Sequence, residues 1–165
     1  MAAWYRVLTT ETRAHIHATG FEPIIHLLLK TFASAILVQT LAKRWWDTTH
    51  TIHIADREMT MTPHDFHHMT SLRCNGALIN LEGESGTQLG IDLLGRRYTI
   101  KTILYFNIKV DYKPFLEVTT DDWAKMARAF LLYLLGTYLF TEGGQMASLR
   151  WLALFWDFGE VQEAN

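Results

Sequence analysis

The sequence predicts an α+β fold, predominantly α-helical with one β-hairpin. Three observations carry that expectation. Trp123, Met126, Ala127, Phe130, Leu131, Leu134, Leu135 and Tyr138 recur at the 3.6-residue period of a helix. Residues 50–62, HTIHIADREMTMT, alternate with a period of two that breaks at Asp56-Arg57, the pattern of a hairpin. Over 165 residues, 49% are hydrophobic and 19% charged, which suits a folded domain with a sizeable core and excludes a disordered chain.

Taken in order, residues 1–18 form an N-terminal segment. Ile24, Leu28, Phe32, Ala35, Ile36, Leu41 and Trp45 then fall near helical spacing, and Ser34 can start a second helix, so this stretch is one helix or two. The charge-free runs 31–42 and 129–140 fall well short of the about 20 residues of a membrane-spanning helix and are expected to be buried core helices. In the hairpin, Asp56 suits a tight turn and Arg57 does not. Thr62-Pro63-His64-Asp65 is a strong helix start, with a cap, a proline for the first turn and an acid for the dipole. That helix is short, ending near residues 71–75, with Gly76 beyond it. Residues 80–90, NLEGESGTQLG, read as a surface loop between two halves of one domain. Leu89, Leu93 and Leu94 suggest a helical turn. Residues 98–110 fit strand or helix equally: their β-branched content favours one and the spacing of Ile100, Ile103, Leu104 and Ile108 the other. The long C-terminal helix starts at Thr119 or Thr120 with Asp121 and Asp122 in its first turn and ends at Gly143-Gly144. Residues 149–158, LRWLALFWDF, form a last, aromatic helix.

Acids number 17 and Lys plus Arg 15, for a formal charge of −2. A protein that lives on phosphate contacts shows a basic excess, so nucleic-acid binding by charge alone is disfavoured. One cysteine, Cys74, leaves no internal disulfide and points to a reducing compartment, nucleus or cytoplasm. The first residues have no secretory pattern, so neither secretion nor membrane insertion is expected.

His64 and His68 are the metal-ligating candidates. Their i, i+4 spacing puts two imidazoles on one helix face, and a third ligand would have to come from His50 or His53. The string His-Asp-Phe-His-His departs from the zinc-protease His-Glu-x-x-His, and a solvated helix face is the simpler reading. His15 and His17 read as surface residues. Cys74 has no activating neighbour, and no Gly-x-Ser-x-Gly elbow occurs. Gly83, Gly86 and Gly90 match no phosphate loop, while Glu82, Glu84, Asp121 and Asp122 read as solvated charges and dipole caps. The aromatics Trp151, Phe155, Trp156 and Phe158 read as core. Lys43-Arg44-Trp45-Trp46 reads as a helix C terminus, with cations on the dipole and tryptophans in the core, or alternatively as a basic-aromatic patch for nucleic acid.

Several strings in order resemble the plant mobile domain, also called the aminotransferase-like plant mobile domain. They are Thr19-Gly20-Phe21; Leu41-Ala42-Lys43-Arg44-Trp45; His50-Thr51-Ile52-His53-Ile54; and Glu58-Met59-Thr60-Met61-Thr62 with Asp65-Phe66. Leu72-Arg73-Cys74-Asn75-Gly76 follows. Then comes Arg128-Ala129-Phe130-Leu131-Leu132-Tyr133-Leu134-Leu135-Gly136, with Leu139-Phe140, and last the 149–158 string with Asp157. The motif residues are Trp45, His50, His53, Glu58, Met59, Thr60, Asp65, Gly76, Arg128, Gly136, Phe140 and Asp157. Arg57 stands where the family has its turn glycine, which leaves the form of the turn open. The resemblance covers about residues 19–160 and marks 19–165 as the domain-like region, and the family pattern continues past Asn165. By that measure the region is incomplete at its C terminus, and residues 149–158 are expected to expose an apolar patch.

The resemblance implies a plant protein of transposon-associated ancestry, with host members tied to the nucleus, transposon silencing, gene expression and meristem maintenance. It implies no catalytic residue and no cofactor. A pyridoxal phosphate enzyme needs a Schiff-base lysine, a phosphate cup and a pyridinium partner. None of Lys30, Lys43, Lys101, Lys109, Lys113 and Lys125 stands in such a sequence context. A non-enzymatic module for protein–protein interaction is therefore the first expectation. A transferase, as the family label suggests, and a histidine-based metal-binding module are the alternatives.

Overall fold

The structure, a computed structural model, describes residues 2–30, 34–72, 81, 83, 85–112, 119–139 and 145–158. In chain order its elements are α1 (Ala2–Tyr5), α2 (Thr10–Ala18), α3 (Glu22–Lys30), α4 (Ala35–Ala42), β1 (Trp45–Trp46), β2 (Thr51–Ile54), β3 (Arg57–Met59) and α5 (Pro63–Thr70). There follow α6 (Gly86–Leu94), β4 (Thr102–Leu104), α7 (Tyr105–Tyr112), α8 (Thr120–Leu134), a π-helical turn (Leu135–Leu139), β5 (Met146–Ser148) and a 3-10 helix (Leu149–Phe155). The fold is α+β and dominated by helix. The single expected hairpin is corrected to two antiparallel sheets, β1-β2-β3 and β4-β5. The chain separates into two compact units, Met1–Glu22 with Gly76–Asn165, and Pro23–Asn75.

The first unit is built on α8. Thr119 and Asp122 form a reciprocal capping box that satisfies two of the helix's free N–H groups. From Met126 to Leu135 every residue but Arg128 is buried, which accounts for the nearly continuous apolar run in the sequence. The segment 1–18 contributes to this core. The Trp4 indole meets Phe130 edge-on at 5.5 Å, and α2 packs along α8, with the Thr12 hydroxyl donating to Trp123 O at 3.4 Å. The ambiguous stretch 98–110 resolves as strand followed at once by helix. Thr102, Ile103 and Leu104 pair with Ser148, Ala147 and Met146, and α7 begins at Tyr105. On α6, a Cβ added to Gly86 would lie 3.1 Å from Leu149 Cβ, so the glycine lets the helix close on the 3-10 segment. The aromatic string 149–158 is mostly buried: Leu149, Trp151, Leu152, Phe155 and Phe158 all lie in the core. The apolar patch expected there is not present among its described residues, of which Trp156 alone is an exposed large apolar side chain.

In the second unit α4 starts at Ser34, as the sequence suggests, with Ser34 Oγ accepting from Leu37 N. Its expected burial is corrected, since Ile36, Leu37 and Val38 are exposed. The hairpin turn falls on Ala55 and Asp56, both at positive φ (48° and 61°). Two consecutive positive φ values are the backbone of a type I′ turn, whose twist matches that of its flanking strands. Arg57 lies in β3, so the glycine missing from position 57 is not a turn residue here. Downstream, α5 has the full start read from the sequence, including a capping box between Thr62 and Asp65, and it ends at Ser71 in the left-handed conformation.

Candidate functional site

The sheet of the second unit holds four of the twelve motif residues, Trp45, His53, Glu58 and Met59, and His50 and Thr60 flank its strands. Trp45 pairs with Ile52 and Ile52 with Met59, while Trp46 pairs with Thr51 and His53 with Glu58. Paired residues share a face and neighbours along a strand alternate. Trp45, Ile52, Ile54, Arg57 and Met59 therefore form one face, and Trp46, Thr51, His53 and Glu58 the other. On the second face the indole of Trp46 stacks on the His53 ring at 4.5 Å. His53 Nε2 is 3.1 Å from Thr51 Oγ1 and 3.7 Å from the Glu58 carboxylate. His50 precedes β2 at positive φ, and its carbonyl accepts the Thr60 hydroxyl at 3.2 Å.

Trp45 and Trp46 are 46% and 56% exposed, which corrects their expected place in the core. A two-residue strand sends adjacent side chains to opposite faces, so two neighbouring tryptophans cannot both enter a core on one side of the sheet. With Met59 at 56% and Met61 at 60% exposure, the sheet and the segment after it present large apolar side chains to solvent.

The remaining motif residues have local duties. Asp65 Oδ2 accepts from the Thr62 hydroxyl at 2.7 Å and from Thr62 N at 3.0 Å, and these bonds hold its carboxyl below the usual range. Arg128 donates to Phe155 O at 2.9 Å and Trp156 O at 3.2 Å, and its guanidinium lies 4.9 Å from the Phe158 ring centre. It thereby serves free carbonyls at the end of the 3-10 helix. Burial lowers its pKa. Gly136 O accepts the Tyr105 hydroxyl. Asp157 is exposed just past the 3-10 helix. Gly76 and Phe140 lie outside the described residues, as do Cys74, Glu82 and Glu84.

His64 and His68 do meet: their Nε2 atoms are 3.0 Å apart on the exposed side of α5. His50 and His53 do not complete a cluster with them, for no group of three or more His, Cys, Asp or Glu among the described residues could hold a metal. His15 is corrected from a plain surface residue. It is half-buried with its ring 4.9 Å from that of Phe158, and burial, then the Arg128 charge, lowers its pKa. Of the lysines, Lys109 lies over the Tyr133 ring at 4.6 Å and Lys125 pairs with Asp121. No helix among the described residues is long and apolar enough to cross a membrane.

Two plant relatives share most of this chain. Over 138 residues it is 30% identical to Protein MAIN-LIKE 1 of Arabidopsis thaliana, covering 76% of this chain and 27% of that protein. Over 137 residues it is 29% identical to the Serine/threonine-protein phosphatase 7 long form homolog of Arabidopsis thaliana, covering 78% of this chain and 10% of that protein. The chain thus spans about a quarter and a tenth of these relatives. No solved structure matches it. The family described as Domain of unknown function (DUF8566) matches residues 2–165, a span holding both sheets and every motif residue, and the chain belongs to that family.

Proposed function

We propose that this chain is a non-enzymatic protein-interaction module of plant mobile domain type, acting in the nucleus as a scaffold in transposon silencing, gene expression or meristem maintenance. The observation that carries the reading is the sheet β1-β2-β3, which holds Trp45, His53, Glu58 and Met59 of the motif set. There, Trp45, Trp46 and Met59 stand in solvent instead of in the core. Large exposed aromatic and methionine side chains are what protein interfaces are enriched in. The partner is a protein segment with apolar side chains, laid on the Trp45–Ile52–Met59 face. The likeness to MAIN-LIKE 1 supports the family assignment and the plant setting.

A second reading has one observation in its favour: Lys43 and Arg44 are exposed beside two exposed tryptophans, the combination that binds single-stranded nucleic acid. The net charge of −2 and the Glu58 carboxylate on the face of Trp46 weigh against it.

The test is proximity labelling by the chain in plant nuclei, followed by calorimetry with each purified candidate. Trp45→Ala together with Met59→Ala should weaken a direct partner at least tenfold, while Ile100→Ala, exposed in the other unit, leaves binding unchanged. Saturable turnover of a substrate, or equal affinity of the double variant, would overturn the reading. Salt-dependent binding of single-stranded RNA or DNA that is lost with Lys43→Ala and Arg44→Ala would replace it with the second.

A further inference from the structure

We propose that His64 and His68 form a two-imidazole chelate for a divalent late first-row metal ion. The geometry of the rings carries the inference. Their centroids are 4.3 Å apart and their Nε2 atoms 3.0 Å apart, so the rings converge on their Nε2 ends. Two nitrogens bound to one ion by metal–nitrogen bonds of about 2.0–2.1 Å lie about 2.8–3.4 Å apart between the right and the tetrahedral angle, so both Nε2 atoms can reach one ion. Imidazole suits late first-row ions, and affinity along that series peaks at Cu(II).

The backbone and the neighbours hold this arrangement. Four-residue spacing stacks the two side chains on one helix face, and the capping box fixes the first turn that carries His64. No third His, Cys, Asp or Glu ligand joins them among the described residues. His67 Nδ1 is 2.9 Å from Leu72 O, and because a carbonyl only accepts, that nitrogen carries the proton and the ring is tied to the end of the helix. Both chelating residues are exposed, so water completes the sphere. Without metal, one Nε2–H donates to the other Nε2. Metal binding needs the proton on Nδ1 of both rings, so the donating ring adopts its other tautomer with no net proton lost.

The experiment is calorimetric titration of the metal-free chain with Cu(II), Ni(II) and Zn(II) chlorides, with electron paramagnetic resonance of the Cu(II) form. The expected result is one ion per chain, Cu(II) tightest, with two nitrogens coupled to copper. His64→Ala and His68→Ala should each weaken Cu(II) at least tenfold and reduce the coupled nitrogens. His68→Gln serves as a second variant, far-UV circular dichroism checks that α5 persists, and His17→Ala should change nothing. Unchanged Cu(II) affinity in the double alanine variant would place the ion on other histidines and overturn the proposal. The absence of saturable Cu(II) binding at one ion per chain would overturn it as well.

Discussion

At Gly136 the carbonyl accepts the Tyr105 hydroxyl, and the Cα sits where a side chain has no room. An added Cβ would lie 2.5 Å from Tyr105 Cε1 and 3.1 Å from Ala147 Cβ. Gly136→Ala should therefore lower stability by about 1–3 kcal/mol, read as a fall in the urea midpoint with an unchanged m-value. His15 makes a second residue-level prediction. Burial and Arg128 depress its pKa in the folded state, so below the unfolded value of about 6.5 the unfolded chain binds the extra proton first. Stability should rise with pH across the window between the folded and unfolded values, and fall as pH drops through it. His15→Gln should flatten that slope in unfolding curves taken from pH 7 down to pH 5, and an unchanged slope would assign it elsewhere. Neither role was legible in the sequence. Gly136 stands there only as a motif residue and His15 as a surface ring, because what fixes both is a partner far away in the chain: Tyr105 for one, Phe158 and Arg128 for the other.

Among the elements, those with local signals were legible. The starts of α5 and α8 are written in four consecutive residues each, and the structure has both capping boxes. The hairpin was legible from alternation, but its turn was displaced by one residue. The period of two tells strands from turns, yet two-residue turns are chosen by backbone sign, and Ala55 gives no hint of positive φ. Strand β1 was missed because two residues are too few to show a period. An alanine in the left-handed region costs about 1 kcal/mol that glycine or asparagine avoids. Replacing Ala55-Asp56 with Asn-Gly should slow amide exchange in β2 and β3 by about fivefold without altering the exposed face. Exchange faster than in the natural chain would mean that the turn is not type I′ in solution.

For the whole molecule, helix predominance was readable from composition and the α8 period, whereas the division into two units was not. The sequence suggests a break at the glycine-rich residues 80–90, but contacts divide the chain after Glu22 and again after Asn75. Long-range packing decides this: α2 belongs with α8, more than a hundred residues away, and β4 pairs with β5 across the whole of α8. No local pattern announces either pairing. In the sequence, the unit that carries β1-β2-β3 is thus an insertion between the two segments that make up the other unit. A chain built this way carries Trp45 and Trp46 on a cassette, a continuous stretch of sequence separate from the segments that supply the α8 core.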